Sequence, residues 1–158
     1  MRIYYCKTDS DLETSATSEV SSQALAPFGI RIWSCDVDDY QSELGRAAKE
    51  DGYPADAVVE TFDSTLAGCH GNQAEFDQMR LRFQERFTFP VDCVACVVSG
   101  ETVVDLEDLL GSDDSKVIRI VLTTGDCIVF PAGLVRKAYI NEDYKSAFIM
   151  KVKSGSPG

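Results

Sequence analysis

From residue 87 onward the hydrophobic pattern of the chain changes period. Before that point, "MRIYYC" and "IRIWSCDV" alternate apolar and polar positions, as half-buried strands do. "DDYQSELGRAAKEDGY", "PADAVVETFDSTLAG" and "NQAEFDQMRLRFQERF" instead carry apolar residues at helical spacing. In the second of these, Pro54 suits a first helical position, and Val58, Val59, Phe62 and Leu66 fall on one face. In the third, Asn72 is placed to cap a helix whose wide apolar side is Phe76, Met79, Leu81 and Phe83. The polar stretch "KTDSDLETSATSEVSSQALAPFG" predicts a loop or a short amphipathic segment closed by a Pro and Gly turn.

After residue 87 the runs shorten and become rich in β-branched residues: "FTFPVDCVACVVS", "ETVVDLEDLL", "KVIRIVLTT", "DCIVFPAG", "VRKAYIN" and "YKSAFIMKVK". Strands that follow helices in this way predict a mainly β fold with α: an antiparallel β-barrel or jelly roll in the second half, with the helices packed outside it. The 158 residues are expected to form one domain, with strands and helices over 1–86, core strands over 87–153 and a tail over 154–158.

Charge narrows the partners. Against 26 acidic residues stand 15 basic ones, and a net charge of -11 repels phosphate backbones and anionic lipid headgroups, so neither nucleic acid nor membrane is expected. No run is long and apolar enough to cross a bilayer, and the first residues lack a secretory pattern, which makes the cytoplasm the expected location. The six cysteines are scattered through apolar or loop surroundings and read as reduced thiols.

Two spaced motifs carry candidate chemistry. Phe87, Phe89, Cys93 and Gly100 occupy the places of a pattern that sets two ligands two residues apart, a third after three more residues and a glycine after six more. Gly125, Asp126, Pro131, Gly133, Arg136 and Asn141 fit the companion pattern. Together they resemble the two-part cupin signature. More narrowly, the chain is similar to the acireductone dioxygenase family through "FGIRIWSCDVDDYQSEL", "FQERFTFPVD", "VIRIVLTTGD" and "PAG", in the family's order. The resemblance implies a cupin fold and, in the family, a metal held by two histidines, a glutamate and a third histidine. This chain has Phe87, Phe89, Cys93 and Arg136 in those four places.

Phenyl rings offer a metal no lone pair, and a guanidinium has no acceptor, so no metal and no cofactor are expected there. The single histidine, His70, cannot rebuild a three-histidine site. Cys93 and Cys96 form a CxxC, but positions three apart on a strand point to opposite faces, which predicts two unpaired thiols. Asp36, Asp38 and Asp39 lack the glycine and glutamate of a calcium loop and read as a turn.

What remains is an apolar interior. Alternation aims Phe87, Phe89, Val91, Cys93, Ala95 and Val97 inward, and Phe87, Phe89, Val91, Ala95 and Val97, together with Ala138, are the candidate substrate-binding residues. Arg136, Cys93 and Arg119 are the candidate catalytic residues, and Tyr139 and Glu85 are possible proton carriers nearby. A buried guanidinium needs a carboxylate, a carbonyl or a bound anion. Two functions follow. One is a metal-independent enzyme acting on a small, partly apolar, anionic or carbonyl-bearing molecule by isomerase, cyclase or dehydratase chemistry; the other is an inactive relative that binds or regulates. The discriminating feature is whether Phe87 and Phe89 plug the interior or line an open cavity.

Overall fold

The β-branched runs form antiparallel pairs, and glycines set where the chain crosses from one sheet to the other. The computed structural model describes residues 2–7, 18–19, 21–62, 73–107, 116–141 and 143–152. Its strands are β1 (Arg2–Lys7), β2 (Ser18–Glu19), β3 (Arg31–Ser34), β4 (Glu60–Phe62), β5 (Cys93–Ser99), β6 (Glu101–Glu107), β7 (Lys116–Thr123), β8 (Asp126–Phe130), β9 (Lys137–Ile140) and β10 (Lys145–Met150). The helices are α1 (Tyr40–Glu50) and α2 (Gln73–Phe83), with 3₁₀ turns at Ser22–Phe28 and Val37–Asp39.

One sheet runs β2-β1-β7-β6-β9 and the other β3-β8-β5-β10-β4. The sheets face each other across a core that includes Val97, Val104, Leu106, Ile118, Ile120, Leu122 and Ile128. They remain two separate sheets, so of the expected forms the jelly-roll sandwich is the one present and the closed barrel is not. The chain changes sheet at Gly100, between β5 and β6, and at Gly125, between β7 and β8. Both glycines have positive φ, 77° and 91°, and a Cβ on either would lie 2.9 Å from backbone, of Asp143 at Gly100 and of Cys35 at Gly125. Asp126 closes the second corner by accepting hydrogen bonds from the Thr123 amide (2.9 Å) and the Ser34 hydroxyl (3.1 Å). The motif residues Gly100, Gly125 and Asp126 are therefore the corners of the fold.

Helix α1 buries Leu44, Ala47 and Ala48 against the outer face of the second sheet, where Val94, Ala147 and Ile149 receive them. Helix α2 buries Phe76, which stacks on Phe62 at 5.2 Å, with Met79 and Phe83 along the same side. Leu81, expected on that side, is exposed: five residues beyond Phe76, it lies well round the helix.

The expected helix over "PADAVVETFDSTLAG" is not formed in its described part. Residues 54–59 are irregular, Val58 and Val59 are exposed, and Glu60–Phe62 extends as β4. The open edge of β10 offers a ladder, pairing Phe62 with Ser146 and Glu60 with Phe148, and adjacent β-branched residues favour it over a helix. Leu66, Asn72 and His70 lie outside the described residues.

Candidate ligand pocket between the sheets

The two motif segments meet at the start of β9. Phe87 and Arg136 form an isolated antiparallel bridge, the Phe87 amide donating to the Arg136 carbonyl (2.9 Å) and the Arg136 amide to the Phe87 carbonyl (3.0 Å). The "PAG" loop is tied to the same place, since Gly133 N–H donates to the Phe89 carbonyl (2.9 Å) and Ala132 N–H to the Asp92 carboxylate (2.7 Å). These bonds bring Phe87, Phe89 and Arg136 together from opposite ends of the second half.

Arg136 is 5% exposed and sits in an aromatic cage. Its guanidinium carbon lies 4.2 Å from the ring centre of Phe130, 4.8 Å from Phe87 and 5.4 Å from Phe89. Nη1 donates to the Leu134 carbonyl at 3.0 Å. No carboxylate among the described residues lies within ion-pair distance of it. Burial pulls its pKa down to about 10, with the nearby Cys93 opposing, so it remains a cation at neutral pH. Ring contacts of about 0.5–2 kcal/mol each offset part of the desolvation.

Between the sheets lies a cavity of about 590 Å³, within the range of small-molecule sites. Phe87 and Phe89 line it and leave it open. An aromatic wall runs from Phe62 to Phe83 (5.7 Å), Phe83 to Phe87 (4.9 Å) and Phe87 to Phe89 (5.7 Å). Its polar groups are few, chiefly Arg136, Cys93, Tyr144, Ser146 and the carboxylates of Glu60 and Glu75.

Cys93 is buried, and that burial pushes its thiol up to about 12; Arg136 works the other way and Glu60 reinforces the rise. Tyr144 is likewise pushed up to about 12 by burial, the Ser146 hydroxyl opposing. Both groups hold their protons at neutral pH. In the folded protein Cys93 ionises only near its raised pKa, whereas the unfolded chain ionises it near 9. The contribution of this thiol to stability is therefore fully present below about pH 9 and is lost as pH rises towards 12. We expect iodoacetamide to leave Cys93 unmodified at pH 8 in the native protein and to label it on unfolding, read by peptide mass spectrometry. Rapid native labelling would show an activated thiolate instead.

Of the residues expected from sequence, Phe87, Phe89, Cys93, Ala95, Val97, Arg136 and Ala138 line the cavity. Val91 does not: residues 90 and 91 bend and the strand begins at Cys93, so alternation across Pro90 fails there. Arg119 is also absent from the lining. Its neighbours Ile118 and Ile120 face the inter-sheet core, so Arg119 points to the opposite face, where Nε and Nη2 each donate to Asp105 at 2.8 Å. Tyr139 is on that same face, its pKa raised by burial and then by Asp105. Glu85 is exposed beyond α2. Cys93 and Cys96 do face opposite ways, Cys96 lying in the cluster under α1, and both are free thiols. Asp36 to Asp39 form the expected turn, with the Asp36 carboxylate capping the Asp38 amide at 3.0 Å.

Sequence reasoning did not find Phe130, Tyr144, Ser146, Met79 or Phe83 as lining residues. The signal for two of them was present: Tyr144, just before β10, and Ser146, Phe148 and Met150 along it alternate, and all four line the cavity.

The donors around Arg136 do not suit a transition metal. Phe87, Phe89 and a guanidinium supply no lone pair, which leaves the sulfur of Cys93 as a single donor among these four positions. Among the described residues, the one place where three His, Cys, Asp or Glu donor atoms lie within 4.8 Å of one another is Cys35, Cys96 and Cys127, under α1 and away from this cage.

Two facing antiparallel sheets, cornered at the motif glycines around a pocket fed by both motif segments, define a cupin. The chain belongs to the ARD/ARD' family, whose model matches residues 2–144. Acireductone dioxygenase 1 of Physcomitrium patens is 28% identical over 126 residues, covering 78% of this chain and 59% of the relative. Acireductone dioxygenase 1 of Arabidopsis thaliana is 28% identical over 141 residues, covering 87% and 64%. The chain thus spans about three fifths of the length of these relatives. A solved acireductone dioxygenase from Bacillus anthracis, with a cadmium ion in its active centre, superimposes with a TM-score of 0.65 at 16% identity, over 97% of this chain and 93% of that one. Among the described residues no helix is long and apolar enough to cross a membrane.

Proposed function

We propose that this cupin binds a small, partly apolar molecule bearing a carboxylate or a polarised carbonyl, and acts on it without a metal, by non-oxidative chemistry of the isomerase, cyclase or dehydratase type. The observation that carries this reading is the caged guanidinium of Arg136, a buried cation without a carboxylate partner among the described residues, facing an open apolar cavity. A substrate anion supplies the missing countercharge, and negative charge that develops on an enolate or carbonyl oxygen is stabilised by the same group. The aromatic wall excludes water and folds the apolar part of the substrate. Cys93 and Tyr144, both protonated, are the groups placed to deliver a proton. Neither nucleic acid nor membrane is a partner in this reading.

One observation favours a second role, binding or regulation without turnover: both buried proton carriers are held near 12, far from the range in which acid–base catalysts work best. Calorimetric titration with phenylpyruvate and with its uncharged amide tests what the two readings share. The acid is expected to bind and the amide to bind at least tenfold more weakly. Equal affinities would remove Arg136 from ligand recognition.

A further inference from the structure

We propose that Cys35, Cys96 and Cys127 form a second site, a three-sulfur centre for a soft, thiophilic ion of the Cu(I) kind, on the face of the second sheet opposite the ligand pocket. Three separate segments build it. Cys96 on β5 and Cys127 on β8 are direct partners in the antiparallel register, so their side chains leave the sheet on the same face. Cys35 follows β3, which pairs on the other side of β8, and its amide donates to the Gly125 carbonyl at 2.8 Å. The Cys35 sulfur lies 3.5 Å from that of Cys127 and 3.9 Å from that of Cys96.

That spacing is close to what a metal needs. Metal–sulfur bonds of about 2.3 Å set the sulfurs of a three- or four-coordinate ion about 3.8–4.0 Å apart. The Cys96 and Cys127 sulfurs lie within 4.8 Å of each other, so closure of the group around an ion takes movements of under about an ångström. A disulfide, at about 2.0 Å, needs a far larger approach.

The donor set selects the ion. All three ligands are thiols, which suits soft ions. The nearby Glu43 is already engaged, accepting from the Trp33 indole at 2.8 Å and from Arg46. Structural zinc takes four protein ligands, whereas Cu(I) is satisfied by three sulfurs. Cys96 and Cys127 are buried beneath α1, while Cys35 is half-buried and gives the ion its route in. Binding releases one proton for each thiol that becomes a thiolate. Cu(I) cancels one of the resulting charges, and Cys35 sets the remainder beside solvent.

The test is an anaerobic titration of the reduced protein with Cu(I) held by the competing chelator bicinchoninate, folding being followed by circular dichroism. One Cu(I) per chain is expected to transfer to the protein. Cys35→Ser and Cys127→Ala are each expected to weaken transfer about tenfold or more, while Cys93→Ser and Cys69→Ser leave it unchanged. Should Cys127→Ala fail to fold, Cys35→Ser, at the half-buried position, carries the test. The proposal is overturned by no transfer, by full transfer to Cys35→Ser, or by its loss in Cys93→Ser or Cys69→Ser. A Cys35–Cys127 disulfide in protein that takes up no Cu(I) would overturn it in favour of a redox pair.

Discussion

Arg136→Met is expected to weaken binding of phenylpyruvate by about 1.5–3 kcal/mol, the contribution of a hydrogen bond to a charged group, without lowering the folding stability of the free protein. The two halves of this result come from one observation. In the free protein the guanidinium is 5% exposed, meets three rings and a single carbonyl, and its pKa is pulled down to about 10. A group whose charged form is disfavoured by folding does not anchor the fold; methionine has much of its length, keeps the ring contacts in apolar form and removes the desolvation cost. In the complex the same charge faces a carboxylate in an apolar surrounding, where it contributes most. Titration calorimetry and urea unfolding on the same preparations measure the two quantities. A large loss of stability in Arg136→Met would make the arginine a structural residue and leave cavity shape as the sole basis of recognition.

Asp105→Ala is expected to produce the opposite division: a loss of about 3–5 kcal/mol in folding free energy, read by urea unfolding, with phenylpyruvate affinity in the surviving folded protein unchanged. Asp105 is 9% exposed and Arg119 3%, and the two are joined by a bidentate pair of 2.8 Å bonds across β6 and β7. Removing the carboxylate takes a bidentate countercharge from a buried guanidinium, and the loss follows from that charge rather than from a cavity. Replacing both partners by apolar residues, Asp105→Leu with Arg119→Met, is therefore expected to recover part of the loss. If Asp105→Ala were as stable as the native protein but bound ligand poorly, Arg119 would regain a place in the site.

These two arginines show what was legible in the sequence. Both stood out as cations in apolar strands, and alternation alone separates them: Arg119 falls between Ile118 and Ile120, which take the core face. Arg136 sits before β9, in a bridge outside regular pairing, and only the crossing of the two motif segments places it over Phe87 and Phe89. The strands after residue 92 were legible because β-branched residues and turn glycines agree there. Gly100 and Gly125 were legible as motif positions, and the fold gives the reason, a positive φ and a backbone too close for any Cβ.

Where local and tertiary preferences compete, the sequence misleads. Val58, Val59 and Phe62 fit a helical face, but the free edge of β10 takes Glu60–Phe62 as a strand. Val91 fits the alternation of β5, but Pro90 and the bend after it break the count. The trio of thiols was invisible for another reason: Cys35 and Cys127 are 92 residues apart, and the register of three strands, which no short motif encodes, unites them.

The most direct measurement of the central claim is the phenylpyruvate titration repeated on chelator-treated protein before and after addition of Fe(II) or Ni(II). An aromatic cage around Arg136 predicts the same affinity in both, since no donor set beside the guanidinium holds either ion. Binding that appears only when the metal is restored, and that is lost in Cys93→Ser, would contradict the account and return the pocket to metal chemistry.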